Sequence, residues 1–386
     1  MKKEFPMVAK TLTGLEDVLA KELEQLGASN IIPSNRAILF SGDQRLLYKA
    51  NLRLRSALKI LVPIKEFEAR NEHDLYFEIK KINWSKYIDV NDTFVIDSTV
   101  FSKEFTHSKY VALKAKDAIV DRFREREGKR PSIDLENPTL RVNIHINQNS
   151  VTVSLDSSGN PLNMRGYRMG NHPATINEVL AAGLILLTGW DKKTPLIDPF
   201  CGSGTFIIEA AMMAQNVAPN MNRKDFAFKH WKDFDKALWV DVRMEAIEEQ
   251  EENYPKLIGM DISERAVENA KLNFDRAGVE SKNISFSQQD FATYDPPKGP
   301  GMLITNPPYG QRLSPDDIQD LYVTIGNRLK NHFQGYHAWV ISIKEAFKHL
   351  GLHPTPKYTV KNANIECKFQ HYEIYEGSKK EAQTEA

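Results

Sequence analysis

Cysteine is scarce in this chain. Cys201 and Cys367 are the only two in 386 residues, and they lie far apart without any neighbouring metal-ligand spacing. A disulfide framework is excluded and no metal site is expected, which fits a reducing, cytoplasmic setting. Long apolar runs are also missing. Nowhere do roughly 18 apolar residues follow one another, and "MKKEFPMVAK" has basic residues with no apolar segment behind them, so neither a membrane span nor an export signal is expected. Net charge is the third absence: 51 Lys and Arg balance 51 Asp and Glu, so any surface for a polyanion must be a local patch.

The length suggests two or three domains, at roughly 100 to 200 residues each. "GLEDVLAKELEQLG" places Leu15, Val18, Leu19, Leu23 and Leu26 at helical spacing and stops at Gly27, between the strand-like pieces "FPMVAKT" and "NRAILFSG". After Ile64 come "DTFVIDSTV", the long helical run "KYVALKAKDAIVDRFRERE" and the alternating "LRVNIHINQNSVTVSLD", an α+β arrangement. From about Pro173 helical and strand segments alternate, the mark of an α/β doubly wound, largely parallel sheet. The last runs, "HAWVISI", "KYTVKN" and "KFQHYEIYE", have no long helix between the final two, which favours an antiparallel closing pair.

"PLIDPFCGSGTFIIEAA" reads as strand, glycine turn and helix. Gly202 and Gly204 let a ligand approach the backbone, and the helix that follows offers free N–H groups. A Walker loop would need Lys-Ser/Thr after the second glycine, and a dinucleotide fingerprint a third glycine at Ile207; neither is present. What remains is Asp198 ahead of the loop, Asp261 at the end of "LIGMD", placed to accept from ribose hydroxyls, and Asp290 in "SQQDF", placed to accept from an adenine amine. Singly these are ordinary connectors; in this order they describe a nucleoside cofactor site.

"DPFCGSGT", "GMDIS", "QQDF" and "NPPYG" in succession resemble the motifs of class I S-adenosylmethionine-dependent methyltransferases. The resemblance implies that Asp198, Phe200, Cys201, Gly202, Ser203, Gly204 and Thr205 surround the methionine and ribose end of S-adenosylmethionine. Asp261 with Ile262 would hold the ribose and its surroundings, and Asp290 with Phe291 would frame the adenine. In "NPPYG" two prolines fix the backbone, so that Asn306 and the Pro307 carbonyl can accept both hydrogens of one planar NH₂ group, with Pro308 stiffening the turn and Tyr309 stacking on the ring that carries the amine. Asn306 would also border the cofactor. Such motifs accompany methylation of adenine N6, guanine N2 and glutamine amides, so they name a nitrogen and not its molecule.

"SKYVALKAKDAIVDRFRE", "RPSIDLENPTLRVNIHI" and "SLDSSGNPLNMRGYR" are similar to the THUMP domain and following linker of the RlmL-type large-subunit rRNA methyltransferases, and the likeness covers nearly the whole chain. It implies a ferredoxin-like domain over residues 1–64, a THUMP RNA-binding domain over 65–156, a linker over 157–175, a Rossmann-like methyltransferase domain with a mostly parallel seven-stranded sheet over 176–376, and a disordered tail over 377–386. Candidate RNA contacts are Lys109, Lys114 and Lys116, with Arg165 and Arg168 of "RGYR". Acidic neighbours such as Asp117 and Glu125 leave a solvated helix face nearly as good a reading of the lysine run. The insert between Met213 and Pro255, with Phe226, Phe228, Trp231 and Trp239, also resembles that family; taken on its own it reads as a local helical core.

The chain departs from the family where relatives commonly read Ala-Pro-Leu/Ile-Lys-Glu: "ATINE" puts Thr175 and Asn177 in place of the proline and lysine, and Asn163 stands where histidine is usual. The expected activity is methylation of guanine N2 in 23S rRNA. The same reaction on tRNA is the close alternative, ahead of DNA adenine-N6 methylation and of a catalytically silent RNA-binding assembly factor. The division also implies that a fragment starting near Asn160 binds the methyl donor but little RNA.

Overall fold

The computed structural model describes residues 3–168, 175–310 and 314–375; the expected tail lies outside them. The first half comprises β1 (Phe5–Lys10), α1 (Glu16–Gln25), β2 (Ser29–Ser34), β3 (Ala37–Gly42), α2 (Gln44–Arg53), β4 (Lys59–Glu68), α3 (Glu72–Lys81), β5 (Thr93–Phe101), α4 (Ser108–Glu127), β6 (Ser132–Ile133), β7 (Leu140–Asn147) and β8 (Ser150–Asp156). The strands form one eight-stranded sheet in the order β2-β3-β1-β4-β8-β7-β5-β6. Alternation along β7 sends Leu140, Val142, Ile144 and Ile146 into the core shared with α3 and α4, and Met7 and Ala9 of β1 enter a second core with α1 and α2.

The boundary expected at Ile64 falls inside β4. That strand pairs with β1 through Lys59, Ile60 and Leu61 and with β8 from Leu61 to Glu68, its register shifting between Pro63 and Lys65. A bulge therefore bends one continuous strand at the expected boundary.

The second half runs α5 (Glu178–Thr188), β9 (Leu196–Asp198), α6 (Thr205–Ala214), α7 (Lys236–Glu248), β10 (Leu257–Asp261), α8 (Glu264–Ala277), β11 (Ile284–Gln288), β12 (Gly301–Thr305), α9 (Pro315–His332), β13 (Tyr336–Ser342), α10 (Lys344–Phe347), β14 (Lys357–Asn362) and β15 (Ile365–Glu373). Its seven strands lie in the order β11-β10-β9-β12-β13-β15-β14. The first five are parallel, and β15 inserts antiparallel between β13 and β14. The order reverses between β9 and β12, so a crevice opens at the carboxyl ends of β9, β10 and β12, where ligands bind in such sheets.

The halves are packed together. Leu15, just ahead of α1, fits against Gly183 of α5, where an added Cβ would come within 2.5 Å of the leucine Cδ1. Gly14, at φ +88°, leaves no room for a side chain against the Thr359 carbonyl of β14, 2.6 Å from where its Cβ would stand. The insert carrying α7 is not a self-contained core. Phe226, Phe228 and Trp239 join the core of the first domain, and Tyr48 of α2 stacks on Phe228 at 4.5 Å. Ion pairs run along the same contact: Arg45 with Asp241 and Glu245, Lys49 with Glu245, and Arg53 with Glu249.

Candidate active site

β9 ends in Asp198, the chain turns through Gly202 and Gly204, both at positive φ, and α6 begins at Thr205. The turn is tied across the sheet: Cys201 N–H donates to the Met260 carbonyl at 2.8 Å, and Gly202 N–H to Asp261 Oδ2 at 3.0 Å. The other Asp261 oxygen accepts from Ser263 N–H at 2.9 Å, which fixes the carboxylate while each oxygen keeps a lone pair for a ribose hydroxyl. Asp198 is buried and accepts from Thr305 Oγ1 at 2.8 Å and Phe200 N–H at 3.2 Å. Burial pushes its carboxyl up to about 7 in spite of those bonds, and the Asp261 charge adds to the rise. Burial likewise raises the Cys201 thiol far above its usual range, so it is inert as a nucleophile.

These groups border a cavity of about 650 Å³ that also takes in Asp290 and Phe291. Asp290 accepts from Ala292 N–H at 2.8 Å, Phe291 packs between Phe200 and Phe333, and Ile262 stands 67% exposed at the cavity as an apolar cover. On the far side are Asn306 and Pro308, just after β12. Asn306 Oδ1 is buried and has no hydrogen-bond partner among the described residues. An unpaired buried acceptor costs about 1–3 kcal/mol, so its placement beside an open cavity points to a donor supplied by a ligand.

Of the residues expected from sequence, Asp198, Phe200, Cys201, Gly202, Ser203, Thr205, Asp261, Ile262, Asp290, Phe291, Asn306 and Pro308 line this one cavity. Gly204 does not. It faces α8 and β11, where a Cβ would come 3.0 Å from Ala270 Cβ and 3.1 Å from Phe286 Cε1, so its glycine serves packing. Pro307 is buried between Asn306 and Pro308, which both border the cavity. Tyr309 is not among the residues that border the cavity: its ring joins the core and its hydroxyl accepts from Asn362 Nδ2 at 2.8 Å and Cys367 Sγ at 3.5 Å.

The arginines expected to meet RNA are engaged by groups within the protein. Arg165 is 2% exposed and lies 3.5 Å from Glu209 of α6, donating also to the Leu162 and Arg55 carbonyls. Arg168 is turned toward Glu178, 3.0 Å away. On α4, Lys109 is exposed, whereas Lys114 lies over the Tyr76 ring at 5.4 Å and Lys116 pairs with Asp117 at 3.0 Å. Sequence reasoning missed Thr175 and Ile176, which enter the cavity from the segment ahead of α5, and Asp317 and Leu321, one turn apart on α9. The i, i+4 spacing of that last pair was the one available signal.

A model of the RMKL-like methyltransferase domain matches residues 165–371, a THUMP domain model residues 69–156, and a RlmL ferredoxin-like domain model residues 6–61. The chain belongs to the RMKL-like methyltransferase family. It is 38% identical to a protein of Synechocystis sp. that carries the provisional name RNA methyltransferase, across 96% of this chain and 97% of that one. It is also 38% identical to the ribosomal RNA large subunit methyltransferase K/L of Photobacterium profundum over 98% of its own length, yet spans only 54% of that larger protein. Among solved structures, a provisionally named methyltransferase crystallised with S-adenosylhomocysteine superposes with a TM-score of 0.87 at 30% identity, over 98% of this chain and 100% of that one.

This RMKL-like enzyme is a methyltransferase that uses S-adenosylmethionine. The residues present fit that cofactor: fixed carboxylates at the ends of β9 and β10, an apolar cover at Ile262, and an orphaned acceptor on Asn306 facing the same space. Among the described residues there is no cluster of His, Cys, Asp and Glu suited to a metal ion, and no helix long and apolar enough to cross a membrane.

Proposed function

We propose that this chain transfers a methyl group to the exocyclic N2 of a guanine in 23S rRNA. The observation that carries the reading is the buried, unpartnered Asn306 Oδ1 at the cavity. With the Pro307 carbonyl it can accept both hydrogens of one amine, drawing the nitrogen towards a pyramidal geometry and exposing its lone pair. S-adenosylmethionine supplies a sulfonium methyl group that is already a strong electrophile. The protein's task is then alignment: Asn306 and the proline turn aim the nitrogen, while the glycine turn and Asp261 hold the donor.

Support for an RNA substrate comes from the THUMP match over residues 69–156 and from the printed names of the relatives. Guanine N2 and 23S rRNA rest on the resemblance of the whole chain, since adenine presents an equally planar amine. A base reaching this recessed cavity must be unstacked, which a partly folded rRNA allows more readily than an assembled subunit. Mass spectrometry of separately purified rRNA and tRNA from a deletion strain tests the reading. N2-methylguanosine should vanish from one site of 23S rRNA; loss confined to tRNA, or loss of N6-methyladenosine instead, would contradict it.

A further inference from the structure

Four carboxylates line the cavity, those of Asp198, Asp261, Asp290 and Asp317, and the described lining contains no lysine or arginine. That charge suits the sulfonium and ammonium groups of the methyl donor. Among the described lining residues the donor's own carboxylate meets no counter-ion, and a carboxylate placed in such a site needs a cation or several N–H and O–H donors.

Arg168 stands directly behind the wall where those donors are found. Its Nη1 donates to Thr175 Oγ1, and its Nη2 to the Ile176 carbonyl at 2.8 Å and to Thr205 Oγ1 at 3.2 Å. Thr175, Ile176 and Thr205 all border the cavity. Thr205 is also the first residue of α6, a ten-residue helix without a side-chain N-cap bond, and Thr205 and Phe206 of its first turn border the cavity. Glu178 Oε1 holds the guanidinium from behind at 3.0 Å from Nε, and its carboxylate is almost fully buried. A cation beside a helix N-terminus is unfavourable by itself, and an anion between the two is stabilised by both.

We propose that Arg168 is the positioning residue for the carboxylate of the methyl donor, holding the Thr175 and Thr205 hydroxyls toward it and supplying positive charge that the described cavity lining does not. The proposal rests on the reading that this cavity holds S-adenosylmethionine. It gives Arg168 a role that the family's sequence resemblance assigned to RNA.

The test compares two nucleosides by calorimetry on the full chain: S-adenosylhomocysteine, which has the amino-acid end, and 5′-methylthioadenosine, which lacks it. Arg168→Met should weaken S-adenosylhomocysteine about tenfold or more and leave 5′-methylthioadenosine within about twofold, and Arg168→Lys, which keeps charge but loses the planar fork, should fall between. Should Arg168→Met fail to fold, Thr175→Val reads the same selectivity through the hydroxyl. Equal weakening of both nucleosides, or of neither, overturns the proposal, as does lost RNA affinity with S-adenosylhomocysteine binding intact. Wild-type protein that binds neither nucleoside would instead overturn the cofactor reading itself.

Discussion

Asp198 shows how one buried side chain couples binding to stability. Its carboxyl ionises near 7 in the fold and near 3.8 when exposed, chiefly because burial penalises the charge. Between those values the folded state holds a proton that the unfolded chain has released, so stability falls as pH rises through the window and the loss is complete above about 7. Asp198→Asn should therefore melt a few degrees higher than wild type at pH 8, with the gap closing toward pH 4. Binding should run the other way, because the donor's cationic groups favour the ionised acid. Wild-type affinity for S-adenosylmethionine should rise from pH 6 to 8 in calorimetric titrations, and the asparagine variant should bind weakly with a flat profile. A wild-type profile that falls with pH would contradict this role.

At the scale of elements, the insert is where the structure departs most from a local reading. Phe228 is 1% exposed and touches Tyr48, Phe226, Phe234 and Trp239, so rings from two sequence-distant segments share one core. Phe228→Ala should cost about 3–5 kcal/mol as a buried cavity mutation and loosen α7 from α2, which hydrogen exchange on α7 would report. The strand-turn-helix around Asp198 was legible because it is local, whereas the cap at Asn177 went unread. Asn177 replaces the family's lysine and caps α5 by accepting from Val179 and Leu180 N–H. The placement of β15 between β13 and β14 was legible only as an antiparallel pair, since which strand lies central is decided by long-range packing. α2 went unread although "QRLLYKANLR" sets Leu46, Leu47 and Ala50 at helical spacing on its buried face. The burial of Tyr309 went unread as well: the motif names its chemistry, but its hydroxyl partner, Asn362, lies 53 residues on.

For the whole molecule, the resemblance suggested separable reader and catalyst. The eight-stranded sheet, the contact of Leu15 with Gly183, and the buried Arg165–Glu209 pair, whose arginine also binds the Arg55 carbonyl, make the halves one packed body. A fragment starting near Asn160 would leave Phe226, Phe228 and Trp239 without the partners that bury them. It should aggregate or unfold well below the full chain in a thermal melt, against the expectation from sequence that it would bind the methyl donor alone; a soluble fragment with full-chain stability and donor affinity would contradict the shared core. On the proposed function, RNA and methyl donor would meet on one packed body, with Asn306 at their junction. The most direct measurement is methyl transfer to naked 23S rRNA by purified wild-type and Asn306→Ala protein, with the modified nucleoside identified by mass spectrometry and donor affinity measured alongside. The account expects N2-methylguanosine from wild type, and a rate about 100-fold or more lower from the variant at donor affinity within a few fold; a variant that methylates at the wild-type rate, or a product other than N2-methylguanosine, would contradict it.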